Sequence, residues 1–153
     1  MLPPLPERSV PESADWCENV VGTATRRLDT TMKILVQKFG GTSVANLECM
    51  KKVREKVLAG LSRGYKMVVI LSARAGETNR LLALADEWSK TPDPAECDSL
   101  VSTGEQVSIS LFSMLLKDAG VRARSLLGFQ IPIITDAGFG SARILSIDSA
   151  ALR

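Results

Sequence analysis

Short, almost wholly apolar runs alternate with amphipathic stretches from residue 33 onward. The run Lys33–Phe39, which ends at two glycines, and the run Lys66–Leu71 have the length and composition of buried β-strands. Between them, apolar side chains recur near a 3.6-residue period, which predicts a helix over 46–62 that ends at Gly64. A helix between two apolar strands predicts a parallel pair that is covered on both faces.

The second half of the chain continues this alternation. Amphipathic periodicity predicts helices over 77–89 and about 102–117, with Pro92 and Pro94 in the loop that joins them. A third strand is expected at 122–126. This order of elements predicts an α/β fold, a three-layer α/β/α sandwich with a largely parallel sheet. Ligands of such folds bind at the carboxyl ends of the strands, so polar clusters near those ends are the candidates for a site.

Composition excludes several classes of function. The 153 residues include no histidine, which excludes Ser-His and Cys-His catalytic pairs and any zinc site that uses His. The net charge of +2 predicts no nucleic-acid partner, and no apolar run is long enough to predict a membrane partner. Three dispersed cysteines, Cys17, Cys49 and Cys97, are typical of a reducing cytoplasm and predict no metal site.

The first 31 residues differ from the rest. They hold four of the seven prolines, and they lack both the apolar core of a secretory signal and the acid-poor composition of a transit peptide. We expect a poorly ordered leader over 1–31 and a folded domain over 32–153. Met32, directly before the first strand, is an alternative start of the chain.

The first polar cluster, Lys38–Ser43 (KFGGTS), lies where the first strand meets its helix. Gly40 and Gly41 allow backbone N–H groups to approach an anion, and the start of the helix adds partial positive charge. Lys38 would bring a full charge, although the residue order is neither Walker A nor G-x-G-x-x-G. Two alternatives remain: a phosphate site, or a tight turn in which Thr42 or Ser43 caps the helix.

Two further clusters follow. In SARAGETN (72–79), Ser72 and Thr78 are candidates to bind a polar substrate or to act as helix caps, and Arg74 is interpreted as a solvated loop charge. In STGEQ (102–106), Ser102 and Glu105 have the spacing of a capping box. The functional alternative is that the Glu105 carboxylate binds a substrate amine, because a carboxylate is the natural partner of an ammonium group.

These clusters together resemble the aspartate kinases of the amino-acid kinase family. The segments that carry the resemblance are KFGGTSV (38–44), SARAGETNRL (72–81), STGEQVS (102–108) and ITDAGFGSARI (134–144). The resemblance implies an amino-acid kinase-like fold and transfer of the γ-phosphoryl group of ATP to the β-carboxylate of L-aspartate. That reaction is the first step towards lysine, threonine and methionine. It further implies Mg²⁺ held mainly by the nucleotide phosphates, and a homo-oligomer in the full-length parent.

The resemblance also implies roles for the phosphate side of the site. Lys38 would be the catalytic residue that stabilises the transferred phosphoryl group. Gly40 and Gly41 would donate backbone hydrogen bonds to phosphate oxygens, with Ser72 close by. Phosphoryl transfer depends on positioning and charge neutralisation, so the absence of histidine is no obstacle.

On the acceptor side, the resemblance implies that Thr78 and Glu105 contact aspartate, with Glu105 facing its amino group. The chain departs from the family at Arg74, where a Met is common, and near Phe139, where a His is frequent. Aspartate kinases also continue with a G-R-G-G-S-D type segment, the nucleotide pocket and regulatory domains. The chain therefore resembles the truncated, amino-terminal half of a kinase domain, and alone it is expected to be inactive. The alternative is a non-catalytic remnant, or a binding partner of a kinase subunit.

Overall fold

The structure is a computed structural model, and it describes residues 33–148. The expected leader over 1–31 and the domain boundary beside it lie outside the described residues. The elements are β1 (Ile34–Phe39), a 3₁₀ turn (Gly41–Val44), α1 (Leu47–Ser62), β2 (Lys66–Leu71), α2 (Glu77–Trp88), α3 (Pro94–Asp118), β3 (Ile133–Thr135) and β4 (Ile144–Ile147).

Strands β1 and β2 form a parallel pair in which Phe39 lies opposite Leu71. This confirms the predicted α/β fold with a parallel sheet. Exposed and partly buried positions alternate along β1, so one face of the pair packs against the helices while Ile34, Val36 and Ile70 remain at least half exposed on the other. Among residues 33–148 the helices therefore cover one face, and these residues contain no second helical layer of the expected three-layer sandwich.

The hydrophobic core joins the start and middle of α1, the end of β2 and the carboxyl-terminal half of α3. Its most buried members are Val44, Met50, Val53, Val57, Leu71, Phe112 and Leu116. Because Val44 and Leu71 belong to this core, the segments that directly follow both strands are held on the same packed base. This packing fixes the carboxyl edge of the sheet, where the candidate residues lie.

Helix α3 begins at Pro94 and not near Ser102, so the predicted loop over Pro94 is wrong. The Asp93 side chain caps the helix: its Oδ1 accepts hydrogen bonds from the backbone N–H groups of Ala95 (2.8 Å) and Glu96 (3.2 Å). Pro94 occupies the first turn, where its missing N–H costs no helical hydrogen bond. The capping-box alternative for Ser102 is therefore also wrong, because that residue lies inside the helix.

Substitution of the two candidate caps tests this helix start. We expect Asp93→Ala to lower the free energy of unfolding by about 1 kcal/mol, because two N–H groups lose their acceptor. Ser102→Ala is the matched control and should change it little, since the Ser102 hydroxyl is exposed and donates to the carbonyl of Ser99 within the helix. Urea unfolding followed by circular dichroism measures both. A larger loss at Ser102 than at Asp93 would contradict the assignment.

The predicted third strand at 122–126 is wrong, because the backbone there is irregular. Val121 and Ala123 nevertheless pack against the core, which explains the apolar signal in this stretch. A strand needs a neighbour to complete its hydrogen bonds, and within 33–148 none pairs with this segment. The apolar pattern in this segment therefore indicated burial, and it did not indicate pairing with another strand.

An antiparallel hairpin of β3 and β4 follows, which the sequence analysis did not predict. The Asp136 carboxylate organises its turn by accepting hydrogen bonds from the N–H groups of Gly138 (3.2 Å) and Arg143 (3.0 Å). The N–H of Gly140 donates to Asp98 on α3 (2.7 Å), which ties the turn to that helix. Over the described range, no helix is both long and apolar enough to span a membrane.

Candidate functional site

The first two polar clusters lie side by side at the carboxyl edge of the sheet. We call residues 72–75, which directly follow β2, the bridging loop. Its first N–H, from Ser72, donates to the carbonyl of Phe39 at the end of β1 (3.1 Å). Its last N–H, from Ala75, donates to the carbonyl of Gly41 (3.1 Å). The structure thus brings the glycine turn and Ser72 together, as expected for neighbouring parallel strands.

Gly41 is required by this close approach. A Cβ atom at position 41 would lie 2.8 Å from the carbonyl oxygen of Ala73, closer than real Cβ contacts. The obstacle is backbone, which cannot rotate away as a side chain can. The second glycine of the turn therefore allows the bridging loop to pack directly onto it.

Gly40 differs, because a Cβ there would meet only the Lys38 Nζ atom, at 3.8 Å. The ammonium group of Lys38 therefore lies beside the glycine turn. Lys38 is exposed and pairs with Ile70, on the sheet face that the described helices leave open. The glycine turn therefore lies next to a full positive charge. It also contains the start of the 3₁₀ turn, whose first N–H groups lack helical partners.

The third cluster reaches the same edge from the middle of α3. Glu105 is half-buried, and its Oε1 accepts a hydrogen bond from the backbone N–H of Ala73 (3.0 Å). Within residues 33–148 its Oε2 atom accepts no hydrogen bond. Gly104 makes this approach possible, since a Cβ there would lie 2.9 Å from the Ala73 Cβ. The structure therefore places Lys38, the glycine turn, Ser72 and Glu105 along the same edge of the sheet.

Thr78 lies in the first turn of α2 and is exposed. Among the described residues its side chain forms no hydrogen bond. Thr78 is therefore connected to the other candidates only by the chain, through the short segment between the bridging loop and α2. It is not a cap, because Gly76 occupies the N-cap position of α2 in a left-handed conformation (φ 81°). The alternative that Thr42 or Ser43 caps α1 is likewise wrong, since Asn46 accepts the capping hydrogen bond from Cys49 (2.9 Å).

Arg74, interpreted from the sequence as a solvated loop charge, is only partly exposed to solvent. Its side chain is 40% exposed and lies 3.9 Å from Glu77, while its Nε atom is buried and has no hydrogen-bond partner among the described residues. The Glu77 carboxylate bonds to Arg80 (2.7 Å). The hydrogen bond from Arg80 is the largest effect and lowers the pKa of Glu77; burial opposes it, and the charges of Arg80 and Arg74 lower the pKa further. Glu77 is therefore an ionised structural partner at the end of the bridging loop.

Sequence reasoning missed Ala73 and Gly104, the two small residues through which the clusters meet. Ala73 is buried, at 4% exposure, although it lies between two polar residues. Gly104 stands inside a helix, where glycine is unfavourable unless close packing needs it. A glycine within an amphipathic helical pattern was the signal that could have indicated a close contact at this position.

A family model described as the amino acid kinase family matches residues 33–153. This chain belongs to the amino acid kinase family. The match covers every described element, including the glycine turn, the bridging loop and Glu105.

Curated relatives within the amino acid kinase family are named as aspartate kinases. The aspartate kinase of Pseudomonas putida is 49% identical over 122 residues, which are 80% of this chain and 30% of the relative. Aspartokinase 2 of Bacillus subtilis is 43% identical over 121 residues, 79% of this chain and 30% of the relative. The chain thus spans about a third of the length of the curated relatives that it matches.

Solved structures of the family share the fold. Aspartokinase III of Escherichia coli, in complex with aspartate and ADP, superposes with a TM-score of 0.63 at 29% identity, over 78% of this chain and 36% of that chain. Aspartate kinase from Synechocystis gives a TM-score of 0.62 at 42% identity, over 64% of this chain and 17% of that chain. These likenesses confirm the predicted resemblance to aspartate kinases.

Proposed function

We propose that this chain carries one side of an aspartate kinase active site, in which the γ-phosphoryl group of ATP passes to the β-carboxylate of L-aspartate. The observation that carries the proposal is the convergence of Lys38, the glycine turn and Glu105 around the bridging loop. The names of the relatives support the same reaction, and the Escherichia coli structure contains aspartate and ADP.

The glycine turn is suited to bind the phosphates of the nucleotide. The backbone of Gly40 and Gly41 leaves room for phosphate oxygens to approach the N–H groups at the start of the 3₁₀ turn. Lys38 brings its ammonium group to this turn and neutralises charge that spreads over the phosphoryl oxygens during transfer. Ser72 follows β2 beside the turn and is proposed as a further phosphate contact. Catalysis here requires positioning and charge and no covalent intermediate.

The acceptor side is proposed to be Glu105 together with Thr78. One oxygen of the Glu105 carboxylate is used by Ala73, and the other is available for the α-ammonium group of aspartate. That contact would orient the substrate and leave its β-carboxylate to attack the phosphorus atom in line with the leaving group. Thr78, at the exposed start of α2, is proposed as a second aspartate contact.

The proposed cofactor Mg²⁺ would be held mainly by the ATP phosphates. Within residues 33–148, no three Cys, Asp or Glu side chains are grouped to hold a metal ion. The described residues therefore do not form a metal cage of their own. The ion, when bound, would supply further positive charge at the phosphates.

A hydroxamate assay tests the proposed function. We expect the purified chain to form no aspartyl hydroxamate from ATP, aspartate and hydroxylamine, because it spans only 30% of the length of the matched Pseudomonas putida relative. A chimera, in which residues 33–153 replace the matched segment of that relative, should form it, with the unaltered relative as control. A chimera that folds but lacks activity would contradict the proposed function. It would favour a non-catalytic remnant or a binding partner of a kinase subunit. Activity of the isolated chain would contradict only the expected inactivity.

A further inference from the structure

Ala73 lies at the centre of the contacts that join the candidate site. It is buried, although it belongs to a loop between two polar residues. Its carbonyl oxygen faces Gly41, its Cβ faces Gly104, and its N–H donates to Glu105. Its N–H, its carbonyl oxygen and its Cβ therefore each lie against a residue of the two other polar clusters.

On one side, the bridging loop is attached to the glycine turn. The N–H of Ala75 donates to the carbonyl of Gly41 (3.1 Å), and the Ala73 carbonyl packs where a side chain at Gly41 would lie. A movement of the loop would therefore break the Ala75 hydrogen bond and change the packing of the turn.

On the other side, the same loop is attached to α3 by a single polar contact. That contact is the hydrogen bond from the Ala73 N–H to Glu105 Oε1 (3.0 Å). The loop also meets α3 where the Ala73 Cβ faces Gly104. A buried N–H that loses its acceptor carries the full cost of desolvation, so loss of the Glu105 oxygen favours an open loop.

We infer that Glu105 is a positioning residue for the phosphate turn, acting through the bridging loop, in addition to its proposed contact with the substrate amine. One carboxylate oxygen holds the loop against the turn and the other faces the acceptor. The two halves of the site are thereby linked through one side chain. That the glycine turn binds phosphate rests on the proposed function. The linkage between the turn and Glu105 rests on the contacts above.

The linkage has a consequence for binding. A ligand that orders the bridging loop from either side lowers the cost of ordering it for a ligand on the other side. An ammonium group at Glu105 and a phosphate at the glycine turn should therefore favour each other by the same factor.

Amide hydrogen exchange in the unliganded chain tests the linkage. The informative amide is Ala75, because it reports the bond between the loop and Gly41 and does not touch Glu105. The readout is the ratio of the protection factor of Ala75 to that of Val57, a core amide in α1 that reports global unfolding. We expect Glu105→Ala to lower this ratio by about tenfold, since the loop opens without unfolding the core.

Two variants separate positioning from general stability. Glu105→Gln keeps a carbonyl oxygen that can accept from the Ala73 N–H, so the ratio should stay within about threefold of the natural chain. Leu116→Val is the matched control on α3: it weakens the core but makes none of the bridging-loop contacts, so it should lower the protection of Val57 and the ratio should not fall. Should Glu105→Ala not fold, Glu105→Asp carries the same expectation, because its carboxylate is one methylene shorter.

An unchanged ratio in Glu105→Ala, or an equal fall in Leu116→Val, would overturn the inference. Inorganic pyrophosphate then tests the phosphate side separately. We expect its affinity to fall by about tenfold in Glu105→Ala, in parallel with the ratio, and to be retained in Glu105→Gln. If the natural chain binds no pyrophosphate, that result counts against the proposed function alone. The exchange ratio then decides for or against the positioning role.

Discussion

Replacing Lys38 with alanine is expected to lower kcat by about 100- to 1000-fold, with a much smaller change in KM. The Lys38 ammonium lies beside Gly40, where we propose that it neutralises charge that grows on the phosphoryl oxygens during transfer. An interaction that strengthens in the transition state affects kcat more than substrate binding. Steady-state kinetics of the chimera with the Pseudomonas putida relative measure the effect.

The chain offers a matched control for this substitution in Lys66. It is also an exposed strand lysine, but it lies at the opposite end of the same sheet, paired with Ile34. Lys66→Ala should leave kcat within about twofold of the unaltered chimera, as for a surface change far from the site. If Lys38→Ala also leaves kcat unchanged, Lys38 is not a catalytic residue. A loss confined to KM would show that it binds ground state and transition state equally.

Gly41→Ala is expected to lower the free energy of unfolding by about 1–3 kcal/mol. The added Cβ would lie 2.8 Å from the Ala73 carbonyl oxygen, and only a shift of backbone can relieve that contact. The shift would separate the turn from the bridging loop and would also disturb the Ala75 hydrogen bond. Urea unfolding measures the loss, and the protection of the Ala75 amide locates it.

Gly40→Ala is the matched control in the same turn. Its Cβ would meet only the flexible end of Lys38, at an ordinary contact distance of 3.8 Å, so the free energy of unfolding should change by less than about 1 kcal/mol. Equal losses at the two glycines would mean that the cost comes from the backbone freedom of glycine in general. The close approach of the bridging loop would then be unsupported.

Much of the fold could be predicted because its first part has strong local signals. The strand predicted over Lys33–Phe39 is observed as Ile34–Phe39, the helix over 46–62 as Leu47–Ser62, and the strand Lys66–Leu71 has the predicted bounds. Apolar periodicity and a terminal glycine at position 64 are short-range signals, and here packing agrees with them. The parallel pairing followed from the helix between two apolar strands.

The later elements were harder because two local signals competed. The helix was predicted to begin near Ser102, and Pro94 was interpreted as a loop residue, although proline is equally suited to the first turn of a helix. Around 122–126, Val121 and Ala123 pack against the core without a strand neighbour. Burial and strand pairing give the same hydrophobic pattern in such short segments.

For the candidate site, the sequence identified the residue types and their segments. The glycine turn with Lys38, the polar loop after β2 and the carboxylate of Glu105 could each be named from local pattern or from resemblance. Even so, each had a local alternative as a turn or a cap. Those alternatives could not be excluded from the sequence, because caps and ligand contacts use the same side chains.

By itself, then, the sequence determined the first two strands, the first two helices and the family resemblance, since these depend on residues close together in the chain. Only the tertiary structure decided that Glu105 bonds to Ala73, 32 residues away, and that Gly41 and Gly104 contact that residue from opposite clusters. The reason is physical: periodicity reports which face of an element is buried, but the partner that it meets depends on how whole elements pack. Two glycines and one alanine set that packing, because only residues this small let the three backbone segments approach.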